Sequence, residues 1–358
     1  LSSAPLSLNV DVVITNHNYA RFLPEAIESA CAQTHPDVHV VVVDDGSTDE
    51  SREVLKRFSD RVEVVLKEQG GQASALNAGL ERCRGEVLLV LDADDRLRPR
   101  AAERVAAAFA ADPRLSKVQF PMAVVDAVGH PTGAVKPGGH LQAPTGDQRR
   151  AELAFPFDLP WLPGGGTGFR TEAVRRILPI PAADYPRSGA DWYLVHLTAL
   201  LGDAALLEEV CAEYRVHGGN AYELDRDELD LDHVRESIVF AAATTRSLGA
   251  LAAELGLDHQ RPILSYADLA NRLVSLKLEP ERHPVPSDRP LGLLGKALHA
   301  TRRRFDVSSP MKILLVTWFA LEALAPRQLA RPLAELFLFP SRRTRVNSLL
   351  GRLQRRQP

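Results

Sequence analysis

The sequence predicts a doubly wound α/β fold: a mostly parallel sheet between helices, followed by a mainly helical C-terminal extension. Three observations carry this. Four short, apolar, β-branched runs lie early in the chain, helical patterns separate them, and polar side chains follow directly on three of the runs.

The runs are Val10–Ile14, Val38–Val43, Val62–Leu66 and Val87–Leu91. Each is too short for a helix and reads as a buried parallel strand. Between them, helical patterns cover Pro24–Gln33, Thr48–Phe58 and Gln72–Arg82. Ser47 opens the second with Glu50 in capping-box spacing, and Asp49 suits the first turn of a helix, where the dipole favours an acid. An alanine-rich helix follows over Ala101–Ala111, then a region of mixed Pro, Gly and turn residues running to Gly168. Trp192–Leu201 has apolar helical spacing, and Leu206–Arg215 is read as holding a strand. After Glu223 the pattern turns helical, with a Pro-rich linker over Glu279–Pro290. The expected division is therefore an α/β domain over 1–223 and a helical extension over 224–358.

The 358 residues are 45% hydrophobic and 25% charged, the composition of an ordinary globular protein. A formal net charge of −3 excludes strong overall binding to polyanions, so no nucleic-acid partner is expected. The charge is unevenly spread: from Lys296 onward thirteen basic residues face three acidic ones, which leaves an acidic body with a basic tail. Such a tail suits an anionic surface, either a membrane or a partner. Within it, KILLVTWFALEAL supports two readings, an interfacial helix held by anionic lipid or a helix packed on the body with a solvated basic end. Cys31, Cys83 and Cys211 are odd in number and far apart, which argues against a disulfide framework or zinc site. With no signal-peptide pattern at the start, the expectation is a cytoplasmic protein, peripheral on the inner face of the plasma membrane if the tail binds lipid.

The residues able to do chemistry sit where strands end: Thr15, Asn16 and His17 after the first run, Asp44 and Asp45 after the second, Asp92, Asp94 and Asp95 after the fourth. Ligands of open α/β sheets bind at the carboxyl ends of strands, so these groups imply one shared crevice. Three acids within Asp92–Asp95 repel one another. A hard cation such as Mg²⁺ or Mn²⁺ would relieve that repulsion, using one or two carboxylates together with substrate phosphate oxygens. A carboxylate at the end of the second strand can accept hydrogen bonds from a nucleoside base or ribose.

The strings VVITNHNYARFLPEAIESACAQ, VVVVDDGSTDES, GGQASALNAGLERCRGE and VLLVLDADDRLRP, in that order and spacing, resemble bacterial glycosyltransferase family 2 with its GT-A fold. The resemblance covers roughly residues 9 to 222. It implies that Thr15, His17 and Asp45 line a nucleoside pocket supported by Asp44, with Asn77 in the nucleotide-sugar site. Many family members carry Tyr where His17 stands. It further implies that Asp94 of the DxD motif meets the donor ribose or a cation, and that Asp95 or Asp92 helps to hold the ion. WLPGGGTGFRTEAVRRILPIP resembles the family's glycine-containing segment, and SGADWYLVHLTALLG its later acidic motif, in which Asp191 matches the catalytic base. Ala190 stands where many members have an acid. Asp191 also suits a helix N-cap, and the two roles are compatible. Finally, Tyr214–Asn220 resembles a YRxHxxN ending, whose His217 approaches metal or diphosphate and whose Arg215 pairs with phosphate.

The activity implied is inverting transfer of a hexose-type sugar from a nucleotide-diphosphate sugar to a glycan or lipid-linked acceptor, in cell-surface polysaccharide or glycolipid synthesis. Two alternatives remain. A catalytically silent nucleotide-sugar-binding module would fit Ala190 and His17. A sugar nucleotidyltransferase would need a glycine-rich basic N-terminal loop, which TNHNYARF does not supply.

Overall fold

The computed structural model describes residues 8–138, 141–185, 187–220, 229–257 and 264–338. The chain divides into two compact units. One comprises Leu1–Glu152, Leu159–Ala221 and Ser247–Leu257; the other comprises Leu153–Asp158, Tyr222–Arg246 and Asp258–Pro358.

In the first unit, strands β1 (Val10–Asn16), β2 (Val38–Asp45), β3 (Glu63–Lys67) and β4 (Val87–Asp92) are the four apolar runs, each ending a residue or two beyond its run. Helices α1 (Leu23–Cys31), α2 (Ser51–Phe58) and α3 (Gln72–Leu80) connect them, and α4 (Ala101–Ala111) comes after the short β5 (Arg96–Leu97). β1 to β4 are parallel, as crossover helices require. The interior valines and leucines of β1, β2 and β4 are almost wholly buried, whereas β3, at the sheet edge, is only partly covered and its Leu66 is exposed, so the third run is not the buried strand expected. The capping box predicted at Ser47 does not form. α2 begins only at Ser51, and Ser47 Oγ instead accepts hydrogen bonds from Asn18 N (2.9 Å) and Asn16 Nδ2 (3.1 Å) at the end of β1.

The mixed region after α4 holds four short strands, β6 (Leu115–Gln119), β7 (Met122–Val125), β8 (Pro131–Lys136) and β9 (Thr167–Arg170), with the one-turn helices α5 (Arg149–Glu152) and α6 (Thr171–Arg175). Helix α7 (Ala190–Leu201) leads into β10 (Asp203–Leu206) and β11 (Ala212–Arg215), so the predicted strand at Leu206–Arg215 is the end of one strand and the whole of the next. The main sheet has seven strands in the order β10-β6-β9-β4-β1-β2-β3, and β9 runs antiparallel to both its neighbours. A four-stranded sheet, β5-β11-β7-β8, lies at the exit of β4. This second sheet carries the chain from Asp92–Asp95 to Arg215 and His217.

The second unit holds helices α9 (Tyr266–Leu278), α10 (Pro290–Arg303), α11 (Ser309–Leu324) and α12 (Arg327–Leu338), while α8 (Leu231–Glu254) supplies Val234 and Ile238 to their core. Asp158 anchors the start of α9: its carboxylate accepts from Ser265 Oγ (3.0 Å), Tyr266 N (2.8 Å) and Ala267 N (2.9 Å), and Arg304 pairs with it. The Pro-rich stretch predicted as a linker is packed rather than free. His283 bridges Ser275 Oγ (3.1 Å) and Asp288 Oδ2 (3.2 Å), and Arg272 grips both oxygens of Asp288. Among the described residues no helix is long and apolar enough to cross a membrane. The basic stretch 339–358 lies outside the described residues.

Candidate active site

The register of the sheet places the predicted residues side by side at one edge. Thr15 pairs with Asp92 on β4 and Val43 on β2, and Asn16 pairs with Asp44. Asp44 is fully buried and serves the strand ends, accepting from Asn16 Nδ2 (2.9 Å) and Ser47 N (3.2 Å). Gly46, next after Asp45, has φ +71°, and a Cβ there would lie 2.6 Å from Gln69 N. Only glycine lets the β2 exit turn so tightly against the 67–71 loop.

Asp45 sits in a cradle that the sequence reading did not name. Its Oδ1 accepts from Lys67 Nζ (2.5 Å) and Gly70 N (2.9 Å), and its Oδ2 from Gly71 N (2.7 Å). His17 Nδ1 lies 2.8 Å from the Asp45 carbonyl, which must make that nitrogen the donor. Nε2 is then the acceptor facing Gln69 Nε2 (3.2 Å) and Asn18 Nδ2 (3.1 Å). Asn77 is committed elsewhere: its amide donates to Ile180 O and accepts from Ile180 N, both at 2.8 Å, and so ties α3 to the loop before Tyr185.

The aspartate cluster is concentrated negative charge in a poorly solvated place. Desolvation, then the Asp94 and Asp191 charges, push the Asp92 carboxyl up to about 8. Burial first, then Asp94 and Asp92, raise Asp95 well above the ordinary carboxylate range. Tyr19 feels the same field: burial, then Asp94, Asp92 and Asp95, raise its phenol to about 12. Its ring stands edge-on to His217, 5.6 Å between centroids. His217 Nε2 is 3.0 Å from Asp94 Oδ2, and both side chains are nearly buried. Asn220 caps the turn, accepting from His217 N (2.8 Å) and donating to Arg215 O (2.7 Å).

Arg215 lies beneath this turn. Its guanidinium donates to the Asp94 carbonyl (2.8 Å) and to Glu25 Oε2 (2.7 Å) and stacks over Phe22, while its backbone N–H donates to Asp95 Oδ1 (2.8 Å). At 1% exposure it holds the aspartate turn from behind.

Asp191 is in the first turn of α7, after Gly189 in the left-handed region, and burial raises its carboxyl above the ordinary range. Its Oδ2 accepts from Gly164 N (3.0 Å), in the 3₁₀ turn Gly164–Gly166. That turn lies between the two acidic groups. A Cβ on Gly164 would come within 2.8 Å of Asp191 Cβ, and one on Gly165 within 3.5 Å of Asp95 Oδ2. Gly164→Ala must therefore displace the carboxylate or the turn. The expected result is a fall of about 10²-fold in turnover with the circular-dichroism spectrum unchanged, since a shift near 1 Å at a reacting group costs that much.

The arrangement can hold an anion-bearing ligand against a cation. Asp94 and His217 offer one carboxylate and one imidazole donor side by side, with Asp95 directly behind. Among the described residues, no three His, Cys, Asp or Glu side chains are grouped so as to hold a metal ion by themselves. That donor set fits a hard divalent ion whose remaining positions are filled by phosphate oxygens and water.

The model of glycosyl transferase family 2 matches residues 11–178. An uncharacterized glycosyltransferase of Nostoc sp. is 34% identical over 219 residues, 60% of this chain and 66% of that protein. An undecaprenyl-phosphate 4-deoxy-4-formamido-L-arabinose transferase of Pseudomonas fluorescens is 40% identical over 106 residues, 27% of this chain and 31% of that protein. The chain thus spans just under two thirds of the first relative's length and about a third of the second's. The crystal structure of S. aureus TarS 1–349 in complex with UDP superposes with a TM-score of 0.53 at 17% identity, covering 92% of this chain and 91% of that one, a likeness of fold. With its motifs in family order on a GT-A sheet and the family model matched across β1 to α6, residues 11–178 form a glycosyl transferase family 2 domain.

Proposed function

We propose that the protein is an inverting glycosyltransferase that moves a sugar, of hexose type, from a nucleotide-diphosphate sugar to an acceptor hydroxyl. The observation that carries this is the facing of Asp191 and the Asp92–Asp95 cluster across the Gly164–Gly166 turn, which leaves a base on one side and the anion-handling groups on the other. Thr15, His17, Asp44 and Asp45 form the nucleoside end, with the Asp45 carboxylate fixed by Lys67 and the Gly70–Gly71 amides. Asp94 and His217, backed by Asp95, would hold Mg²⁺ or Mn²⁺. When bound, the cation neutralises charge that builds on the departing diphosphate.

Asp191 accepts the proton of the acceptor hydroxyl as its oxygen bonds to the anomeric carbon. The bond to the diphosphate breaks on the opposite face, and its electron pair leaves with the diphosphate, which inverts the centre. Gly164 N–H orients the carboxylate for that transfer. Arg215 keeps the aspartate turn in place through the Asp94 carbonyl and Asp95 Oδ1, with its charge neutralised by Glu25. Asn77 acts at one remove by fixing α3 against Ile180.

A glycan or lipid-phosphate acceptor, in cell-surface polysaccharide or glycolipid synthesis on the cytoplasmic side, suits this reading, and the Pseudomonas relative's name supports the lipid-linked class. The test is a panel of nucleotide sugars scored by thermal shift with and without Mn²⁺, then by transfer or slow hydrolysis. A ligand that binds only the folded state raises its melting point by mass action. One donor should stabilise the protein in a Mn²⁺-dependent manner and turn over. Binding without turnover would make the chain a silent binding module, and no binding would remove the donor-site assignment.

A further inference from the structure

We propose that the outer face of the α11–α12 hairpin is a docking surface for an anionic lipid bilayer, a role independent of the transferase reading. Both helices already have a core side. Trp318, Phe319 and Ala323 are buried there, with Trp318 stacked on Phe337 (4.0 Å between centroids) and its Nε1 donating to Leu333 O (2.9 Å). The opposite side is apolar where a solvated helix would be polar. On α11, Ile313 and Leu324 are 68% and 69% exposed and Leu321 is 53% exposed; on α12, Leu329 is 54% exposed. These positions recur at helical spacing, so they form one face rather than scattered contacts. Between the helices runs an open apolar groove of about 750 Å³, lined by Val316, Ala320, Leu324, Leu329, Leu333 and Leu336 among others.

The charges on the same helices decide the occupant. α11 and α12 contain two acids: Glu322 is buried, and Glu335 is mostly covered and paired with Arg331 (3.6 Å). Arg327 and Arg331 are exposed beside the leucines. The sequence that follows, 339–358, adds six arginines and no acid. A second copy pressed on this face would bring those cations against their own equivalents, whereas an anionic bilayer accepts leucines and arginines together. Neither α11 (16 residues) nor α12 (12 residues) is long and apolar enough to span, so the hairpin would lie in the headgroup boundary.

The experiment is flotation of the full chain with vesicles of phosphatidylcholine alone and of phosphatidylcholine with phosphatidylglycerol. The expected result is binding to the anionic vesicles only, weakened by high salt. It should fall at least tenfold in Leu321→Gln/Leu324→Gln and severalfold in Arg327→Gln/Arg331→Gln. The two leucines are exposed, so an unchanged melting point should accompany their loss, whereas Arg327 also donates to Leu278 O and Arg331 pairs with Glu335, so the arginine pair is compared at a temperature where it is fully folded. Three outcomes overturn the proposal: no flotation with anionic vesicles; flotation untouched by the leucine pair but abolished by ending the chain at Leu338; or a concentration-dependent dimer in sedimentation that the leucine pair dissolves.

Discussion

Replacing Asp191 by Asn should lower sugar transfer by about 10²- to 10⁴-fold while Mn²⁺-dependent donor affinity stays within about twofold. General-base help is typically of this size, and the substitution removes proton acceptance without emptying the space beside Gly164. The amide can still accept from Gly164 N at the position now taken by Oδ2, so the α7 start should hold. The pH profile gives a second readout. A base must be deprotonated to act, and burial raises this carboxyl, so the acidic limb of the rate should lie above the ordinary carboxylate range and rise with pH. In Asp191→Asn that limb should vanish from what activity remains. Near-normal turnover would remove Asp191 from the base role.

The second large effect is expected at the aspartate turn. Asp94→Ala with Asp95→Ala should abolish Mn²⁺-dependent donor affinity, measured by calorimetry, because it deletes the carboxylate next to His217 Nε2 and the one behind it. A loss of at least tenfold in donor binding, with metal-free binding of the bare nucleoside little changed, would separate the diphosphate end from the nucleoside end. Unchanged donor binding would place the cation elsewhere. Folding should survive, since neighbouring acids repel one another and burial already opposes the ionised form of Asp95.

Much of this site is legible in the sequence because strand ends announce themselves. An apolar run stopping at Asp44 or Asp92 locates both the strand and the edge where ligands collect. What stayed hidden had physical causes. β6 carries no strand pattern in the sequence because Lys117 and Gln119 break its apolar run. Inside the fold they are satisfied, Lys117 by Val195 O (2.7 Å) and Gln119 by Leu162 N (3.0 Å) and Pro144 O (3.0 Å). The antiparallel β9 was missed because Thr167–Arg170 is too short to show a period. The Asp45 cradle was missed because two of its three donors are backbone amides, which no residue type signals. Lys67 does leave a signal, as the polar residue that directly follows the third apolar run, and the parallel register sets it opposite Asp45. Tyr19 and Glu25 reach the cluster only through the folded turn at Arg215 and His217, far along the chain.

The Arg215–Glu25 pair has a consequence for recombining this protein with its relatives. The two residues are 190 positions apart, yet the guanidinium is enclosed and Glu25 is the carboxylate that neutralises it, shared with Arg96. A chimera joined after β4, with an uncharged residue at position 25, would strand a cation under the donor loop. Its defect would surface as weak donor binding, although neither parental half was faulty. Crossovers should keep both members of the pair from one parent.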